Sequence, residues 1–278
     1  MSDDLPPASS GGPGDRLGRC LDRLAAAQQR ALAIYLTLGD PLTCDRPDLA
    51  LAAADAGADI LEFGIPTPGT RPRGAEIARS FERARGADQE QLWEWLGELR
   101  RAAADLPLLL LVYPQTVADL GWDLLLARSA AAGADALVLA RPDGPEDLER
   151  VAAAGLSAVP GIAPAADPAL VRQLESAAAH LTYRNLAEHT GADLDLDEAT
   201  RLTRRLGATA SRPFLVGFGI RDERQIRALA PDAAGVVVGS RLISVLSQAA
   251  PAARPDALRE HIGRWKAATI LDGSPTEQ

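Results

Sequence analysis

Lysine is nearly absent from this chain: among 278 residues there is one, Lys266, close to the C-terminal end. No strand can therefore offer a lysine amine for Schiff-base chemistry on a carbonyl substrate. Cysteine is scarce too. Cys20 and Cys44 are the only two; they make neither a disulfide framework nor a zinc site, and a reducing cytoplasmic location is expected. The histidines His180, His189 and His261 are scattered along the chain rather than spaced as ligands, so neither a metal nor another cofactor is expected. No apolar run approaches the ~18–20 residues of a membrane span. A formal net charge of −9 argues against nucleic acid or an anionic membrane as partner. The opening MSDDLPPASSGGPGD has no basic start and no apolar stretch, and reads as a disordered tail rather than a signal peptide.

What the chain does have is a repeated alternation of short apolar runs and helix-length segments. The runs are ALAIYLT (31–37), DILEFG (59–64), PLLLLVY (107–113), DALVLA (135–140), SAVPGI (157–162), HLTYRN (180–185), PFLVGFG (213–219) and GVVVGS (235–240). Continuously apolar strands belong to a parallel sheet covered on both faces by helices. AGADILEF precedes the second run's end and AGADALVL the fourth's, each reading as a helix end, a glycine cap and the next strand start. Eight such βα units over about 250 residues fit a (β/α)8 TIM barrel, with a doubly wound open sheet as the alternative. No linker divides the chain, so a single barrel domain is expected over 17–270, between a tail at 1–16 and another at 271–278. In a barrel, chemistry belongs at the C-terminal strand ends.

The last two strands end in GFGI (217–220) and VGSRLI (238–243). Glycines there let backbone N–H groups approach an anion, and a helix starting near Ser240 aims its positive end at the same place. Gly217, Phe218, Gly219, Gly239 and Ser240 are therefore candidates to hold a phosphate, with Thr190 and Gly191 closing the cradle from the sixth strand. The expected partner is a phosphorylated small molecule. Glu62 alternates with Ile60 and Gly64, which puts it on the inner face of the second strand. Burial raises a carboxyl's pKa toward the range useful for proton transfer, so Glu62 is the candidate general acid/base. The competing reading pairs it structurally with Arg71 or Arg73 in the following loop. Of Tyr35, Tyr113 and Tyr183, alternation is expected to bring only some inward, and Tyr183 is the candidate hydroxyl.

These strings together resemble the tryptophan synthase alpha-chain family, from about Ala31 to Lys266: YLTLGDP (35–41), AGADILEFGIP (56–66), LTYRN (181–185), TGAD (190–193), VGFGI (216–220) and VVGSRLI (237–243). The resemblance implies a tryptophan-biosynthetic barrel lyase that cleaves indole-3-glycerol phosphate in retro-aldol fashion to indole and glyceraldehyde 3-phosphate. It implies that Glu62 protonates the departing ring carbon, that the glycines and Ser240 hold the phosphate, and that Tyr183 lines the site. The family's loop after this strand usually reads close to PFSDPLADGP, whose second aspartate assists at the indole nitrogen. Here the segment is PTPGTRPRGA (66–75), with Gly69 at the place of the first aspartate and Arg73 at the catalytic one. The loop after the third strand reads Tyr113-Pro114-Gln115-Thr116 where the family carries a Tyr-x-Asn-Pro-like string. Both loops dock a beta subunit in the family, so a beta-subunit complex is expected to be weakened. Expected functions are a lyase on a changed phosphorylated substrate, the ordinary family activity, or a non-catalytic phosphate-ligand binder.

Overall fold

The computed structural model describes residues 15–43, 47–186, 195–217 and 219–271. Each apolar run contains a strand: β1 Ala31–Thr37, β2 Ile60–Gly64, β3 Leu108–Val112, β4 Ala136–Leu139, β5 Ser157–Ile162, β6 Thr182–Asn185, β7 Phe214–Gly217 and β8 Gly235–Val238. All neighbours pair in parallel, and β8 pairs back onto β1, closing the barrel in sequence order. The open-sheet alternative is excluded by that closure.

The pleat divides the interior of the protein into two cores. Ala33, Tyr35, Ile60, Leu109, Val138 and Val237 pack together inside the barrel. Their neighbours Ile34, Leu36, Leu61, Phe63, Leu110 and Val236 face outward into the layer covered by helices. Strands buried on both faces have no polar side to show, which is why the runs read as continuously apolar. In the outer layer Phe63 meets Trp95 edge to face, with ring centroids 5.7 Å apart.

The floor of the barrel is closed by the helix Asp15–Ala26, which starts within the segment expected as tail. Leu17, Cys20 and Leu24 recur at helical spacing and join the inner core, covering the N-terminal strand ends. The repeated AGAD string has a specific task at this floor. Gly57 and Gly133 cap helices at φ 112 and 78. The aspartate that follows each glycine reaches back to the preceding strand's first amides: Asp59 Oδ2 accepts from Leu32 N at 2.9 Å and Asp135 Oδ2 from Leu108 N at 2.8 Å. Asp135 is fully buried and paired with Arg16 and Arg100. Asp59 pairs with Lys266 Nζ at 2.8 Å. The lone lysine is thus a floor residue, at the opposite end from the strand ends where a carbonyl substrate would lie. Among the described residues no helix is long and apolar enough to cross a membrane.

Candidate active site

A cavity of about 250 Å³ opens at the C-terminal strand ends, with Glu62 among the residues that line it. β2 holds this side chain inward between Ile60 and Gly64, opposite Tyr35 of β1 and Leu109 of β3 in the strand register. Glu62 is only 2 % exposed, and its Oε1 has no hydrogen-bond partner among the described residues. Loss of solvation pushes its pKa from 4.5 up to about 8. A buried acceptor left without a donor, beside an open cavity, is where a ligand's donor group belongs.

All three tyrosines point into this cavity, which corrects the expectation that alternation would bring in only some. Tyr113 sits one residue past the end of β3, in step with the inward Leu109 and Leu111, where the chain turns into the helix Pro114–Leu120. Burial raises the pKa of each phenol, and the neighbouring Glu62 adds to the effect at all three. They are neutral hydrogen-bond donors at physiological pH. Tyr35 Oη lies 3.2 Å from Thr37 Oγ1, which lies 2.6 Å from Ser80 Oγ; Ser80 in turn donates to Ile77 O at 2.7 Å. That chain fixes the Tyr35 ring at the base of the mouth.

Two of the glycines serve the rings directly. A Cβ on Gly217 would lie 2.2 Å from Tyr183 Oη, and one on Gly64 would lie 2.1 Å from Tyr35 Oη. Gly217 therefore makes room for Tyr183 from behind. Gly219, Gly239 and Ser240 line the cavity itself, on the β7–β8 side. Gly219 adopts φ 79, and the helix Ser240–Gln248 begins at the cavity wall with Gly239 before it. Its first N–H groups have no side-chain cap, and an anion would satisfy them. Thr190, Gly191 and Phe218, expected in the same cradle, lie outside the described residues, as does His189.

The loop after β2 forms the opposite rim. Arg71 and Arg73 both line the cavity. The structural pairing of Glu62 with Arg71 is not formed: Arg71 Nη1 donates to Pro68 O at 2.6 Å and to Thr70 O at 2.9 Å within its own loop. Glu62 Oε1, for its part, accepts nothing from either arginine. The loop is fastened to the one after β3. Thr70 Oγ1 lies 2.6 Å from Thr67 Oγ1 and 3.1 Å from Thr116 Oγ1, and Gly69 N donates to Asp119 Oδ2 at 2.6 Å. The Thr67 hydroxyl and the Gly69 amide together hold Asp119 below the usual carboxylate range. Asp119, which no motif singled out, sits beside this rim, and Arg141, at the end of β4 where chemistry is expected, lines the cavity. Asp40, by contrast, is fully buried and held by both ends of the Arg83 guanidinium at 2.8 and 2.7 Å, so it supports the loop instead of facing a ligand. Among the described residues no three His, Cys, Asp or Glu side chains gather as metal ligands.

A family model described as tryptophan synthase alpha chain matches residues 21–268. The tryptophan synthase alpha chain of Cupriavidus metallidurans is 33 % identical over 256 residues, covering 89 % of this chain and 96 % of that one. That of Xanthomonas campestris is 34 % identical over 244 residues, covering 84 % and 89 %. Among solved structures, the tryptophan synthase alpha subunit of Legionella pneumophila superposes with a TM-score of 0.80 at 26 % identity, over 91 % of this chain and 98 % of its own. A Mycobacterium tuberculosis tryptophan synthase gives 0.77 at 27 % identity, over 92 % and 99 %. Sequence match and barrel agree from end to end, and the chain belongs to the tryptophan synthase alpha-chain family.

Proposed function

We propose that this chain is a phosphate-anchored lyase acting on indole-3-glycerol phosphate or a related phosphorylated substrate, with Glu62 as its general acid/base. The observation that carries this reading is a buried carboxyl, its Oε1 without a partner among the described residues, lining a cavity that a helix N-terminus also borders. With its pKa raised to about 8, Glu62 holds a proton at neutral pH and can deliver it to the indole ring carbon. The positive charge that develops on the ring then draws the electrons of the adjacent carbon–carbon bond as that bond breaks. The hydroxyl on the departing carbon becomes a carbonyl, and its proton returns to the Glu62 carboxylate. One proton leaves Glu62 and one comes back, so the cycle closes without a cofactor. Tyr183, Tyr113 and Tyr35 line the path as neutral donors, and Gly219, Gly239 and Ser240 grip the phosphate, with Thr190, Gly191 and Phe218 assigned beside them.

Arg73 sets this member apart. It stands at the rim in the place where the resemblance puts a second carboxylate, and a cation there opposes charge developing on the indole nitrogen. Turnover of indole-3-glycerol phosphate is therefore slower than an aspartate at that position would allow. The same exchange favours a second reading, a phosphate-ligand binder without turnover. Incubating the purified chain with indole-3-glycerol phosphate and measuring indole separates the two. Release that disappears in Glu62→Gln supports the lyase; release that survives this substitution rejects the role given to Glu62. Binding with no product under any condition supports the binder. Because both docking loops depart from the family's strings, the chain is further read as acting without a stable beta subunit.

A further inference from the structure

The cavity rim carries a feature that phosphate anchoring does not use. Arg71, Arg73 and Arg141 all line it, and Glu62 is the only acid among the described lining residues. This cationic mouth belongs to a chain whose net charge is −9. The arginines are also on the wrong side to serve the cradle. Arg71 and Arg73 follow β2 and Arg141 follows β4, whereas Gly219, Gly239 and Ser240 follow β7 and β8. In the closed order β4 stands across from β8, so Arg141 faces Gly239 and Ser240 over the opening, while β2 lies two strands from β8 and three from β7 and sets Arg71 and Arg73 to one side of the cradle.

A phosphate monoester carries a charge of roughly −1.5 to −2, and a helix N-terminus with free backbone amides already suits it. Glu62, largely protonated at neutral pH, supplies little counter-charge to the facing rim, and Asp119, the acid that does act on Arg71, is exposed and already engaged by the Thr67 hydroxyl and the Gly69 amide. Arg71 is held in place through one nitrogen by its own loop carbonyls, which leaves Nε and Nη2 outside those bonds. A guanidinium presents its donors as a planar fork that matches a carboxylate.

We propose that the β2–β4 rim is a second anion subsite, and that the substrate carries a phosphate at one end and a carboxylate at the other, with its reacting carbon held between them over Glu62. This rests on the phosphate-anchored reading above. It also answers the difficulty raised by Arg73: a carboxylate brought in by the substrate neutralises the rim and restores negative charge beside the carbon framework during bond cleavage.

The test uses the full chain and a matched pair of probes, 4-(3-phosphonooxypropyl)benzoic acid and 4-(3-phosphonooxypropyl)benzamide, titrated calorimetrically. The two share the phosphate and differ in the terminal charge. The benzoate is expected to bind about tenfold or more tightly than the benzamide, a difference appropriate to a charge-assisted contact. That preference should fall toward unity in Arg141→Gln and in Arg71→Gln. The two arginines lie on separate loops, so loss of the preference in either variant, with an unchanged melting temperature, supports the subsite. Equal affinity of the two probes for the unaltered chain, or a preference intact in both variants, overturns the subsite and leaves the phosphate anchor standing. Failure of both probes and of inorganic phosphate to bind overturns the subsite together with the anchor beneath it.

Discussion

Glu62 ties both activity and stability to pH, and in the same direction. If the protonated carboxyl is the acid, the rate falls as pH rises through about 8. Stability moves the same way by linkage. The folded pKa lies above the ordinary 4.5, so the folded state binds the extra proton between 4.5 and about 8 and loses stability steadily across that window. Glu62→Gln removes the titration. Its melting temperature is expected to exceed that of the unaltered chain at pH 9 and to approach it near pH 5, the free energy of unfolding differing by roughly a few kcal/mol at the alkaline end. A variant that melts at or below the parent at both values would show that the carboxylate is not strained. Arg73 can be treated by the same kind of reasoning. A charge pair at ~4 Å with an effective dielectric near 20 is worth ~4 kcal/mol, so reversing its sign changes a barrier by up to ~8 kcal/mol. The rim is wet and arginine can swing aside, which leaves a smaller gain. Arg73→Asp is expected to raise indole release from indole-3-glycerol phosphate by about tenfold or more, read from initial rates.

At the scale of elements, the loops after β2 and β3 act as one piece. Three threonine hydroxyls, Thr67, Thr70 and Thr116, are buried and hydrogen-bonded to one another, and Thr70 is the middle member. Thr70→Val keeps the shape and takes one hydrogen-bond partner from the hydroxyl on either side. It is expected to cost about 1–3 kcal/mol in denaturant unfolding and to speed proteolysis within 65–74. An unchanged cleavage rate would mean that the hydroxyl chain does not hold the loop. Very little of this fastening could be read from the sequence. Thr67, Thr70 and Thr116 are ordinary residues separated along the chain, and only the barrel brings them together. Glu62 could be read, because period-two alternation inside an apolar run fixes its face whatever the loops do. The glycines were legible only in part. Gly219 and Gly239 reach the cavity as their position at strand ends suggested, while Gly217 stands behind a tyrosine ring whose direction no local pattern reveals.

The whole molecule was the most legible level, since eight apolar runs with helical spacers leave few ways to bury both faces of every strand. The floor was not. The AGAD repeat announces helix caps, yet its aspartates act across strands and with partners as distant in sequence as Arg16 and Lys266. Asp135 shows how much depends on them, because it joins β3, the first helix and Arg100 through one carboxylate. Asp135→Ala removes the buried carboxylate shared by Arg16, Arg100 and the Leu108 amide and is expected to destabilise by about 3–5 kcal/mol, measured by chemical denaturation. A loss below 1 kcal/mol would mean that water takes over the vacated contacts.

The pairing of Lys266 with Asp59 has a practical consequence for handling the protein. No other side chain can react as a primary amine, so coupling the molecule to an activated ester through that residue grips it underneath. Every copy held on a sensor surface through this side chain sits in one orientation, with the ligand entrance turned toward the flowing solution.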